Sequence, residues 1–128
     1  FAVKYLYNKK LITKDDIFVD LDCTCPLRNL QCITEMIEKF LFYKRQKKNF
    51  DGIFTIATAR KNPYFNLVEI KKNGYLKLSK DLKTKIVRRQ DCPKVYEHVA
   101  GAYVLKPEFI IKKKYLMNGK IIGHKNKG

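Results

Sequence analysis

Hydrophobic positions along the chain switch between two spacings, and the switches outline the elements. Ile17 to Leu21 is short and apolar except for Asp20, the pattern of a parallel strand covered on both faces. Cys23 to Arg28 contains Pro26 and reads as a loop, and Asn29 is placed to cap a helix after it. Leu30, Ile33, Met36, Ile37, Phe40 and Leu41 then recur at helical spacing, one apolar stripe over about three turns. The polar run Lys44 to Asn49 ends that helix. Asp51–Gly52 marks a turn, and Ile53 to Ala57 is a second buried strand.

Strand, helix and strand in this order predict a βαβ unit with a parallel pair and a right-handed crossover. Ligands of open α/β sheets bind beyond the carboxyl ends of the strands. Asp22, Thr24 and Arg28 after one strand, and Thr58 to Asn62 after the other, are expected to share that rim. Farther on, Phe65 to Ile70 and Tyr75 to Leu78 flank Lys71-Lys72-Asn73-Gly74, and Asn-Gly is a strong hairpin signal. Ser79 to Pro93 is polar and basic. Gly101 to Lys106 is a further strand, Pro107 opens a short helix, and Ile121–Ile122 lie in a last strand reached through Asn118–Gly119. There is no internal repeat and no low-complexity segment.

Composition changes this picture in one respect. The 128 residues, 45% hydrophobic, are enough for a single modest domain. The net charge is +16, which brings nucleic acid to mind. Only 5 of the 28 basic residues are Arg, however, and base readout and bidentate phosphate clamps favour Arg. The lysines are also spread along the chain beside turns and element ends. A solvated Lys-rich surface is the favoured reading, with RNA binding kept as an alternative; such a surface still attracts anionic small molecules. No apolar run approaches the roughly 18–20 residues of a membrane span, and no signal peptide is evident, so the expected setting is soluble and cytoplasmic with reduced thiols.

The candidate chemistry gathers after the first strand. Cys23-x-Cys25 with Cys32 lacks the spacing of a zinc site, and Cys92, His98 and His124 supply no matching second pair, so the thiols read as packing residues and no metal ligands are assigned. Asp22 stands where α/β enzymes bind ligands; capping of the next turn is an equally good reading. The adjacent Arg88 and Arg89 suit a carboxylate or phosphate. His98, beside a strand, reads as structural.

Four segments in order carry a resemblance. They are Asp22 to Arg28 (DCTCPLR), Asn62 to Ile70 (NPYFNLVEI) with Asn73 to Lys77 (NGYLK), Arg88 to Glu97 (RRQDCPKVYE), and Ala100 to Leu105 (AGAYVL). Together they resemble the acylneuraminate cytidylyltransferases, the CMP-sialic acid synthetases, from about Ile17 to His124. The respective family patterns are Q-P-T-S-P-L-R, N-P-Y-F-N-(M/L)-V-E, R-R-Q-D-x-P-x-x-Y and N-G-A-I-Y.

The resemblance implies transfer of CMP from CTP to the anomeric hydroxyl of a nine-carbon acidic sugar, with release of pyrophosphate and with Mg²⁺ as cofactor. It implies a Rossmann-like, three-layer α/β/α nucleotidyltransferase sheet, a homodimer, and a β-hairpin dimerisation arm and sugar-binding segment over residues 62–93. Carried over by motif, Asp22 replaces a glutamine that touches the sugar, and Thr24 and Arg28 lie in the same loop. Phe65 takes a pocket position of variable type, Arg89 and Gln90 approach the acidic sugar, and Tyr103 lines the pocket. Asp in place of Gln turns a donor-and-acceptor group into an acceptor only, which hints at a legionaminic- or pseudaminic-type acid. The family's Gly- and Lys-rich phosphate loop and its metal-holding Asp-x-Asp have no counterpart here. The expected fold is therefore truncated at both ends, and a non-catalytic binding or dimerisation module is the alternative to an enzyme.

Overall fold

The computed structural model describes residues 1–25, 29–112 and 115–125. It is an α/β structure with a mixed four-stranded sheet, three helices and a separate hairpin, compatible with a Rossmann-like fold. Two compact units are distinguished: Phe1–Ile56 with the chain from His98 onward, and Ala57–Glu97.

The first unit opens with helix α1 (Ala2–Asn8), which the hydrophobic pattern had not marked. Strand β1 (Phe18–Leu21) comes next, then helix α2 (Leu30–Arg45). Asn29 caps α2 as expected, its side-chain oxygen accepting the Gln31 N–H at 2.9 Å, and Lys44 and Arg45 sit in the last turn, where cations oppose the helix dipole. Of the apolar stripe, Met36 and Phe40 are fully buried, Ile33 and Ile37 half-buried, and Leu30 and Leu41 exposed. The stripe is wider than the surface that α2 buries.

Strand β2 (Gly52–Thr58) is parallel to a strand near the end of the chain, Ile121–Lys125, and a ten-residue strand, Tyr96–Leu105, lies between β1 and β2. The expected parallel pairing of β1 with β2 is therefore corrected: the central strand separates them and pairs antiparallel with β1, Asp20 opposite Tyr103 and Leu21 opposite Ala102. A crossover connection fixes handedness and direction, not adjacency. What holds the central strand in place is long-range. Ala102 and Val104 point from it into the cluster of Met36, Phe40, Phe50 and Ile53. Phe50 meets Phe40 edge-on at 5.0 Å. Helix α3 (Pro107–Lys112) starts at its proline, as expected.

The second unit contains the hairpin, strands β3 (Val68–Ile70) and β4 (Leu76–Leu78) paired antiparallel. In chain order the central strand, Tyr96–Leu105, is thus β5, and the last strand, Ile121–Lys125, is β6. The turn lies where Asn73-Gly74 placed it, with Gly74 at φ 83°, a region that costs other residues strain. Both strands are shorter than the apolar pattern suggested. Phe65, Asn66 and Leu67 are spent on a turn whose N–H groups all bond to the Asn62 carbonyl. No residue of this unit is buried, although Ile70, Tyr75 and Leu76 are large and apolar.

Candidate functional site

At the end of β1 the Asp22 N–H donates to the Gly101 carbonyl on β5, which fixes the backbone where the strand stops. The Asp22 carboxylate oxygen Oδ1 accepts both the N–H and the hydroxyl of Thr24, at 2.8 and 2.7 Å. Its carbonyl accepts the Cys25 N–H. This is the turn-capping geometry that short acidic side chains favour. Asp22 and Thr24 thus come together in one hydrogen-bonded loop, while Arg28, the third residue expected on this rim, lies outside the described residues.

Tyr103 projects from β5 opposite Asp20. Burial, reinforced by Asp22 and then Asp20, pushes its phenol above the ordinary tyrosine range. Its ring lies 5.5 Å from that of His98 and 6.3 Å from Phe54, and His98 and Phe54 are 4.4 Å apart. Asp22, Thr24 and Tyr103 all belong to the first unit.

The cysteines are free thiols: Cys23 exposed, Cys25, Cys32 and Cys92 half-buried. Burial, and secondarily Glu35, push the Cys32 thiol up, so it stays protonated and unreactive near neutral pH. Among the described residues no group of three or more His, Cys, Asp or Glu could hold a metal ion.

Phe65, Arg89 and Gln90 belong to the second unit. Phe65 is partly exposed, and Arg89 and Gln90 sit in a single 3₁₀ turn, Arg89–Asp91. Arg88 pairs with Asp91 at 3.1 Å. Arg89 donates to the Arg60 carbonyl at 2.6 Å, and the Arg60 N–H donates to Glu97 at 3.0 Å. Asn62 ties the same two segments: its amide donates to the Pro93 carbonyl at 3.1 Å and its side-chain oxygen accepts the Tyr64 N–H at 2.9 Å. The Asn66 side-chain oxygen accepts the Asn62 N–H at 2.7 Å. The two motifs around Asn62 and Arg89 therefore brace one another. Sequence reasoning placed Asn62 only at the end of the expected rim and gave Glu97 no role; the asparagines at both ends of N-P-Y-F-N were the available signal for the bracing. An open groove of about 440 Å³ in this unit is lined by apolar and basic side chains together, among them Tyr64, Leu78, Leu82, Lys83, Lys85 and Ile86.

No protein-family model matches the chain. Over part of its length it is nonetheless homologous to CMP-sialic acid synthetase-like proteins, the class to which the four motifs pointed. One relative is post-translational flagellin modification protein B of Campylobacter coli, 35% identical over 97 residues, which make up 76% of this chain and 38% of that protein. Another is CMP-N,N'-diacetyllegionaminic acid synthase of Campylobacter jejuni, 38% identical over 60 residues, or 47% of this chain and 24% of that protein. The chain thus spans well under half the length of either relative. Among the described residues no helix is long and apolar enough to cross a membrane.

Proposed function

We propose that the chain is the acid-sugar-binding part of a cytidylyltransferase that transfers CMP from CTP to a nonulosonic acid of the sialic, legionaminic or pseudaminic type and releases pyrophosphate. The observation that carries this reading is the 38% identity over 60 residues to a protein named CMP-N,N'-diacetyllegionaminic acid synthase, supported by the four motifs in order. Within the class, the N,N'-diacetyllegionaminic acid in the name of the second relative favours an acylamino-bearing acid. The chemistry is an in-line attack of the sugar's anomeric hydroxyl on the α-phosphate, a reaction served mainly by positioning and charge neutralisation.

In this reading the Asp22–Thr24 loop and Tyr103 orient the sugar. For Arg89 and Gln90 the resemblance alone implies a role toward the acidic sugar; within its own unit Arg89 keeps N–H donors beyond the one given to Arg60, chemistry that suits a carboxylate. The resemblance implies Mg²⁺; the described residues contain no cluster of three or more His, Cys, Asp or Glu that could hold a metal ion, and no step is assigned to the metal. The hairpin is read as the dimerisation arm: a unit with no buried residue and an exposed Ile70, Tyr75 and Leu76 gains stability by covering them with a second copy.

The test is to incubate the 128-residue chain with Mg²⁺, CTP and a panel of nonulosonic acids, following pyrophosphate and CMP-sugar. Binding of at least one acylamino-bearing acid is expected, and turnover in addition would show that this chain supplies the phosphate-handling groups as well. Binding of the acid without turnover identifies a non-catalytic binding module, and binding of neither substrate overturns the assignment.

A further inference from the structure

His98 and Tyr103 are five residues apart on β5, a separation that puts side chains on opposite faces of a regular strand. Their rings are nevertheless 5.5 Å apart, both within reach of Phe54. The strand is therefore irregular between them, a bulged stretch of the kind that re-aims a side chain and recurs beside binding sites. Thr55 on β2 holds it. The Thr55 hydroxyl donates to the Val99 carbonyl at 2.9 Å and accepts the Ala102 N–H at 3.4 Å, two backbone groups at the irregularity. Thr55 is itself buried, a polar side chain spent on these two bonds. Gly101 completes the device, since a Cβ there would stand 2.9 Å from the Thr55 oxygen.

We propose that this bulge delivers His98 to the acid-sugar site as a specificity-determining residue, where, backed by the buried Phe54 and beside Tyr103, it contacts an uncharged acylamino substituent of the sugar. The inference rests on the proposed binding of such an acid. Asp20 stands opposite Tyr103 and Asp22 lies two residues on, so the face is negative and disfavours the sugar's carboxylate. It suits an N–H or O–H donor, with the acyl methyl against the His98 and Tyr103 rings. His98 is exposed, so its imidazole is open to a ligand.

The chain has 2 histidines, which makes the test direct. The imidazole resonances are followed by NMR while N,N'-diacetyllegionaminic acid is added, and then a nonulosonic acid with hydroxyls in place of the acylamino groups. The His98 signals are expected to move with the first, the His124 signals to stay. His98→Ala is expected to weaken binding of the acylated acid about tenfold and to leave the hydroxyl analogue unaffected, with His98→Gln in between. If the chain binds the acylated acid while the His98 signals stay still and His98→Ala binds equally well, this inference is overturned and the functional reading stands. If the chain binds no acid sugar, both fall.

Discussion

At the scale of single residues, short polar side chains next to strand and turn ends do most of the shaping. Asn62 makes bonds from its side chain, its N–H and its carbonyl, and removing the side chain leaves the Tyr64 N–H and the Pro93 carbonyl without it. Asn62→Ala is expected to cost about 1–2 kcal/mol. Hydrogen exchange should show the Tyr64 amide losing protection while the amides of Met36 and Phe40 keep theirs. Tyr103 gives a pH signature. Its phenol holds the proton more tightly in the folded chain than in the unfolded one, because of burial and then the Asp22 and Asp20 charges. The resulting stability is fully present below about pH 10 and is lost as the pH rises through the higher folded value. Urea midpoints of the wild type and Tyr103→Phe, compared from neutral pH to well above 10, should show the wild type losing ground to the variant at the alkaline end.

At the scale of elements, much was legible in the sequence. The Asn29 cap, the stripe of α2, the Asn-Gly turn and the proline at the start of α3 all act within a few residues of themselves, so local pattern suffices to find them. Helix α1 was missed because its seven residues carry no acidic first turn and no side-chain cap, and it buries only Val3. The bulge in β5 was missed because its signal, a glycine beside small residues, has meaning only once Thr55 is brought against it from 47 residues away in sequence. The contact that decides the core is equally non-local: Phe40 on α2 closes against Phe50 and Val104. Phe40→Ala is expected to cost about 3–5 kcal/mol, read as a fall in the urea midpoint. A loss under about 1 kcal/mol would mean that the α2–sheet contact is not the principal core.

At the scale of the whole molecule, burial is uneven. Among the described residues every buried apolar side chain belongs to the first unit, while the hairpin unit leaves Ile70 at 76% and Tyr75 at 71% exposure. A folded hairpin with so little buried surface is marginal by itself. Under the proposed arm role, Ile70→Asp together with Leu76→Asp should convert a dimer into a monomer in light scattering while leaving the imidazole signal of His124, in the first unit, unchanged. A wild-type chain that is monomeric at high concentration would remove that role. The +16 charge has a separate consequence: under the proposed function, attraction of anionic substrates is screened by salt, so their affinity should fall as ionic strength rises.

The sequence by itself marked α2, α3, the hairpin turn and the cores of most strands, though not α1 or the first half of β5, and through its four motifs the family in which relatives were found. These features are written in short-range order: periodicity, caps, turn residues and linear motifs. Tertiary structure alone decided that β5 lies between β1 and β2, that Asn62 and Arg89 brace each other's segments, and that His98 faces Tyr103. Each of these depends on pairing residues far apart in the chain. No local pattern encodes which distant backbone group will accept a given hydrogen bond; that is settled only when the core of α2 and the sheet has closed.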